Sequence, residues 1–490
     1  MSMSSTFHET GSPTINRVGV LLVLVLVIGI FSYFAAQSIV ALFGLLAIAG
    51  VIVFIVKLYK KPSLGMDFIL ISSFVIAGFT RIKALPFGLS TDIMMLLLWL
   101  ILFIKGFYKG DFSAKNNVLS LGMLLWALYC IAELFNPLAS SAMAWFYAVR
   151  GLAFNAAIMI PLVFLLKNKP SDFRQFINIW FAFSILLGLY GAKQYWLGVF
   201  GFEQSWLDNG GHVTHVLWGR FTRMFSFLSD ANQFGCSQGH AGIAALIMIK
   251  AGRNWWEKLF YSVTAVVSFY GMFISGTRGA IVIPIISFGA YLVLSKNFKT
   301  MIAGGLLGGV AMYLLVFTYV GHGIEPVRRM RTAFQATEDA SFQVRIENRK
   351  ILDAYMSDKP FGGGIGSAGV WGQRFSPDHF LAHFETDGHY VRIHAETGKV
   401  GLYLYLIIHV LILMKMLWIC WNLKNEYLKT AMSAITVGII GLMAANYSAA
   451  VTIGLPTSTL VYWSMAFVFM APKWDQNQQF PAIIKEEKLK

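Results

Sequence analysis

Residues 321–397 concentrate groups suited to handling anions and protons: Arg328, Arg329, Arg331, Arg345, Arg349, Lys350, Lys359, Arg374 and Arg392, with His322, His379, His383, His389 and His394. Half of the 10 histidines of the chain therefore fall in this one connection, which is too long for a simple link between elements. Arg345 and Arg349 are four apart and share a helical face, while Ile351, Leu352, Tyr355 and Met356 form an apolar stripe. Asp358-Lys359-Pro360 ends that helix, because proline cannot continue it. A helix of this kind, lying on a leaflet with its arginines at headgroup depth, suits a lipid-phosphate ligand; the plainer reading is a solvated helix capping the fold. Gly364, Gly366 and Gly369 then formally satisfy G-x-G-x-x-G, but no strand precedes them, so a dinucleotide site is rejected in favour of close backbone approach or a tight turn. The block from Asp387 to Gly401 carries His389, Tyr390, His394 and Glu396 into the next apolar run. Tyr390, His394 and Gly398 are four apart and line one face. Polar groups gathered at such an entrance point to chemistry more than to packing.

Two smaller segments add to this. Arg278, in Ser275-Gly-Thr-Arg278-Gly-Ala, sits in a very short connection between apolar runs, where an unpaired charge is costly. Arg223 precedes Ser226, Asp230, Asn232 and Gly235 at the mouth of another run. Glu133, His240 and His409 are isolated inside apolar runs and read as satisfied packing residues.

The elements that must hold these groups are set by composition. Of 490 residues 57% are apolar and 13% charged, about half the usual charged share of a soluble domain. That excludes a soluble enzyme, a disordered chain and a secreted disulfide scaffold. The 3 cysteines have no metal-ligand spacing and read as packing residues, so no metal and no other cofactor is expected. Apolar runs at 18–36, 38–56, 64–80, 88–104, 117–134, 146–166, 176–195, 231–249, 259–275, 279–295, 301–320, 398–418, 431–450 and 455–471 predict an all-α polytopic integral membrane protein. The expectation is about fourteen spans, with twelve to fourteen allowed, and a large helical loop at 321–397. With the N-terminus cytoplasmic, alternate loops are lysine-rich, as the positive-inside rule requires, and both termini, 1–16 and 472–490, are cytoplasmic tails. The inner side then carries about nineteen Lys against three Arg, and the outer side about twelve Arg against five Lys. Topology needs only positive charge. The outer arginines instead suit bidentate phosphate or carboxylate recognition, or pair with acids and headgroups nearby. The net charge of +15 is accounted for by this sidedness, with no nucleic-acid partner.

Four segments in order resemble the O-antigen ligase and surface-polysaccharide polymerase family. They are Arg223 through Gly235, Ser275 through Ala280, Arg345 through Gly366, and Tyr390 through Gly401. The resemblance covers about 220–415, and divides the chain into a transmembrane bundle at 17–195 and a ligase-like transmembrane region at 196–471. It implies an all-helical protein similar to the metal-independent C-type glycosyltransferases. Such a protein moves a glycan from an undecaprenyl-diphosphate carrier to an acceptor hydroxyl, at the extracytoplasmic face of a bacterial cytoplasmic (inner) membrane. Arg223, Arg278 and Arg345, with Arg349 on the same face as Arg345, would neutralise the diphosphate. Tyr390, His383 and His394 would meet the acceptor or glycan, and Asp387, His389 and Glu396 would be the catalytic group.

Ligases of the family commonly have histidine nine residues before the glutamate corresponding to Glu396. Here that residue is Asp387, with His389 two further on, which looks more like the polymerase or exopolysaccharide branch. A carboxylate can still serve as base toward a sugar hydroxyl. The resemblance thus implies polymerisation of lipid-linked repeat units, with ligation close behind. The partners implied are the lipid-linked glycan, an acceptor glycan or lipid, the membrane and a chain-length regulator. The alternative is a polytopic polysaccharide or lipid transporter, but transporters place polar residues at midplane on broken helices in repeated halves, and here they gather outside with no internal repeat.

Overall fold

The computed structural model describes residues 39–83, 85–106, 117–217, 221–296, 298–321, 323–334 and 340–478. The expected first span at 18–36, the tail at 1–16, the end of the second tail and His322 lie outside the described residues. What is described is helical, apart from a two-residue antiparallel pairing of Val216–Leu217 with Phe221–Thr222. It falls into two compact units divided between Leu64 and Gly65. The first holds α1 (Ile39–Lys60). The second begins within α2 (Ser63–Ile82) and continues through α3 (Leu89–Ile104), α4 (Val118–Ala132), α5 (Ala142–Val149), α6 (Asn155–Leu166) and α7 (Pro170–Leu197). There follow α8 (Ala231–Met248), α9 (Trp255–Ile274), α10 (Val282–Leu294), α11 (Phe298–Phe317), α12 (Glu325–Arg331) and α13 (Ala340–Tyr355). The unit ends with α14 (His389–Asn422), α15 (Glu426–Ala445) and α16 (Thr457–Gln476).

These helices start where the sequence supplies caps. Asn117, Asp230, Asn254 and Asn425 each accept hydrogen bonds from amides of the first turn of α4, α8, α9 and α15. Among the described residues six helical stretches are long and apolar enough to cross a bilayer: 63–82, 118–135, 142–166, 170–197, 389–422 and 426–445. Leu89–Ile104, Arg278–Leu294 and Gly304–Phe317 are apolar but shorter. The described helices lie where the apolar runs predict them, while among the described residues length alone supports fewer crossings than about fourteen. The chain is a multi-pass helical membrane protein.

Which face each helix shows follows from its side chains. On α14, Tyr403, Ile407, Val410, Leu411, Met414 and Trp418 are exposed at helical spacing, as a lipid-facing stripe would be. On α15 the balance reverses, with 83% of its apolar window buried against 28% for α14. The helix α8 is too polar to meet the crossing criterion, yet nearly every residue in it is buried. Its glycines explain how. A Cβ on Gly235 would stand 2.3 Å from Ser275 Oγ, one on Gly239 3.1 Å from Met272 Sδ, and one on Gly242 2.9 Å from Phe269 Cδ1. Small residues on one face thus let α9 approach closely, the usual device of packed membrane helices. On its other side His240 meets Gly438 of α15. Elsewhere the core is aromatic: Phe173 and Phe176 of α7 pack with Trp463, Phe467 and Trp474 of α16, and Trp180 packs beside Phe176.

Candidate functional site

Arg223 is clamped on both sides by described residues of 198–217 and 221–230. On one side Ser226 sits at φ +53, a left-handed conformation rare for serine. It is fixed there by four contacts: its amide donates to Gln194 Oε1 (2.8 Å) and its hydroxyl to Leu187 O (2.7 Å), and its carbonyl accepts from Arg81 Nη1 (3.0 Å) and Gln194 Nε2 (3.2 Å). The fully buried Glu203 stands behind this. It accepts from Tyr190 Oη, Gln194 Nε2 and the Phe200 amide, with Arg81 Nη1 at 3.7 Å. On the other side the Arg223 amide donates to His215 O at 2.8 Å. The guanidinium then forks: Nη1 donates to Thr214 O (3.2 Å), and Nη2 to Asn232 Oδ1 (2.8 Å) and Thr277 Oγ1 (2.9 Å). Thr277 immediately precedes Arg278, which opens a single 3-10 turn. Burial lowers the affinity of Arg223 for its proton, Asp230 offsets part of that, and the positive charge of Arg278 adds to it. Two like charges are therefore kept together at a partly buried place. The fork of a third arginine, Arg329 of α12, arrives beside them, with Nε donating to Gly276 O at 2.6 Å. The sequence placed Arg329 only among the basic residues of 321–397, with no site role of its own; its signal was its place in the run Arg328-Arg329-Met330-Arg331.

A second group lies on α13. Arg345 Nε is 2.9 Å from Asp387 Oδ2, in a pair whose side chains are 32% and 51% exposed. Arg349 lies face-on over the Tyr447 ring, 4.0 Å from its centroid. Its Nη1 also bonds the Tyr447 hydroxyl, and its Nη2 donates to Tyr447 O at 3.3 Å. The expected apolar stripe divides. Leu352 and Met356 are buried against Ala368, Leu381 and Ala395, while Ile351 is exposed. This helix therefore packs its stripe on protein rather than laying it on a leaflet.

The two groups meet at the end of α15. A Cβ on Gly279, next to Arg278, would stand 2.4 Å from Ser448 Oγ. One on Gly388, next to Asp387, would stand 2.5 Å from Tyr447 O. Gly388 has φ +94, so the turn needs glycine both for space and for conformation. Tyr447 and Ser448 were not anticipated. Their positions depend on a turn closed by Asn446, whose Oδ1 accepts from the Val451 and Thr452 amides and whose Nδ2 donates to Thr452 Oγ1.

The other expected site residues are engaged elsewhere. His389 is buried, with Nε2 3.1 Å from Tyr405 Oη and its amide donating to Asn446 O. Tyr390 donates to Met443 O (2.6 Å), His383 Nε2 lies 3.0 Å from Pro377 O, and His394 Nδ1 lies 3.7 Å from Asp353 Oδ1. Glu396 is fully buried, paired with Arg392 (3.1 Å), and accepts from the backbone amides of Gly366 and Ala368. The glycine-rich segment thus closes its backbone amides on a carboxyl group of the chain itself. The Gly363 amide donates to Ala395 O and the Val400 amide to Pro360 O, which closes the segment onto a kink at Gly398 (φ +66). Among the described residues no His, Cys, Asp and Glu cluster could hold a metal ion.

The structure thus brings together Arg223, Arg278 and Arg329 in one group and Arg345, Arg349 and Asp387 in another, linked through Tyr447 and Ser448. Such a surface can hold a doubly charged leaving group beside a carboxylate. Residues 263–406 match the family model described as O-antigen ligase, a stretch that includes every expected site residue except Arg223. No curated protein matches the chain.

Proposed function

We propose, from that O-antigen ligase region, that the protein is a glycosyltransferase polymerising undecaprenyl-diphosphate-linked repeat units outside the bacterial inner membrane. The observation that carries this reading is the convergence of five arginines and Asp387 on the end of α15. In the proposed step an acceptor hydroxyl oxygen bonds to the anomeric carbon of the donor sugar. The bond from that carbon to the diphosphate oxygen breaks, and its electron pair leaves on undecaprenyl diphosphate. Arg223 and Arg278 face the departing charge, and each well-placed group of this kind is worth about 10²–10³ in rate. Asp387 takes the hydroxyl proton. Diphosphate binding draws Arg345 from Asp387 and leaves that carboxylate to the acceptor. Glu396 acts from behind the reactive face by fixing the glycine-rich segment, and His389 by tying the start of α14 to Asn446 and Tyr405. In this reading the acceptor glycan would be met by Tyr390, His383 and His394. Polymerisation is preferred to ligation because aspartate occupies the place where the ligase branch carries histidine. Metal independence and likeness to C-type glycosyltransferases belong to this proposal, as do the division at 195/196, about fourteen crossings and pairing with a chain-length regulator.

The test uses purified protein in vesicles with labelled lipid-linked repeat units. The expected result is free undecaprenyl diphosphate together with longer glycans. Label that crosses the bilayer on intact donor would favour the transporter instead. The membrane orientation is tested separately. A reporter fused after Lys258 or Lys429 is expected to read cytoplasmic and one near Arg374 external, because lysine crowds the first two loops and arginine the third. An external signal at Lys258 would reverse the orientation.

A further inference from the structure

We infer that Tyr447 is a positioning residue that sets Arg349 for a diphosphate and ties it to the turn carrying Asp387; the inference rests on the diphosphate reading above. Tyr447 lies outside the family match, so the family resemblance assigns it nothing. Three parts of it work at once. Its ring carries the Arg349 guanidinium face-on at 4.0 Å, its hydroxyl bonds Nη1, and its carbonyl accepts from Nη2 at 3.3 Å. The same carbonyl lies where a Cβ of Gly388 would stand, so the turn after Asp387 is seated directly on it.

Arg349 has the long, rotamer-rich side chain of arginine and is only partly buried on α13, where such a group ordinarily samples many positions. A planar ring beneath it and two polar contacts at one end leave the rest of its fork aimed one way. An arginine arranged beforehand loses less entropy when it meets a phosphate, so the gain appears in donor binding. The platform is itself fixed. Asn446 closes the turn that presents Tyr447, and the His389 amide donates to Asn446 O at 2.8 Å. The phosphate-binding arginine and the carboxylate are thereby referred to one point, which fixes each relative to the other.

The experiment compares the full-length wild-type protein with Tyr447→Phe and Tyr447→Leu in vesicles. Phenylalanine keeps the ring face and loses the hydroxyl contact; leucine loses both. The expected result is a donor KM raised about tenfold by leucine and two- to threefold by phenylalanine, with acceptor KM unchanged. Arg349→Ala should add little to Tyr447→Leu, since the two act through one contact. A second reading needs no turnover: the concentration of inorganic diphosphate that half-protects the protein against heat should rise in the same order. Equal half-protecting concentrations in all three proteins would overturn the inference, as would fully additive losses or equal rises in both KM values. A wild type that transfers glycan but ignores diphosphate overturns this inference alone. A wild type that binds diphosphate in a Tyr447-dependent way yet transfers nothing overturns the transferase reading alone.

Discussion

Asp387→Asn protein is expected to make no extended polymer while still binding the lipid-linked donor. Loss of a general base costs about 10²–10⁴ in rate, far more than removal of a half-exposed surface charge. The ion pair with Arg345 at 2.9 Å sharpens the expectation. Asparagine keeps the shape and one oxygen for Arg345, so the arginine stays near its place. It carries no negative charge to compete with diphosphate, so donor binding should hold or tighten. Polymer length on a gel and retention of lipid-linked repeat units together read the result. His389→Ala should do less to the chemistry, because that imidazole is buried against Tyr405 rather than open to an acceptor. Full-length polymer from Asp387→Asn would place the base elsewhere, or make a base unnecessary once the diphosphate departs.

The second large effect concerns Arg223 and Arg278. Lysine at either position keeps the charge and loses the fork, and product is expected to fall on the order of a hundredfold with protein level unchanged. At Arg223 the reason is visible in the contacts. Two terminal nitrogens reach Thr214 O, Asn232 Oδ1 and Thr277 Oγ1, and one ammonium cannot span all three. At Arg278 the reason is its seat in a one-turn connection beside Arg223, where the direction of the charge matters as much as its presence. Normal product from both lysine variants would remove them from the diphosphate site.

What could be read from the sequence was what local spacing determines. Arg345 and Arg349 on one face of α13 follow from a separation of four. The position of each apolar run follows from its length and punctuation. The glycine-rich segment was legible as a place of close approach, but its partner was not. Glu396 reaches Gly366 and Ala368 across some thirty residues of chain, and only its spacing from Arg392 hinted that the carboxylate was already committed. His389 and Asp387 are two apart yet face different surroundings, because α14 begins between them and turns the imidazole inward. Tyr447 was invisible for a related reason. It lies near the end of the apolar run 431–450 as an ordinary end-of-helix aromatic, and its meaning comes wholly from α13 folding over it. Arg329 was masked by neighbours of the same type, of which Arg328 pairs locally with Glu325.

The polarity of α8 has a consequence for the order of biosynthesis. A helix bearing Asn232, Gln233, Gln238 and His240 gains little by moving from the translocation channel into lipid, and only Asn232 and Gln238 find partners on segments already made, Arg223 and Ser184. It becomes stable there only as neighbours are made. First comes α9, against the glycine face. Much later come α15, whose Gly438 receives His240, and the segment whose Val451 carbonyl accepts from Gln233. Because Asn232 and Thr277 hold Arg223, and Tyr447 follows α15, the reactive end cannot assemble until the ribosome has nearly finished the chain. Under the proposed transfer a nascent protein is therefore inert toward lipid-linked sugar during most of its own synthesis, and truncation anywhere before α15 should leave a membrane-inserted but unassembled product.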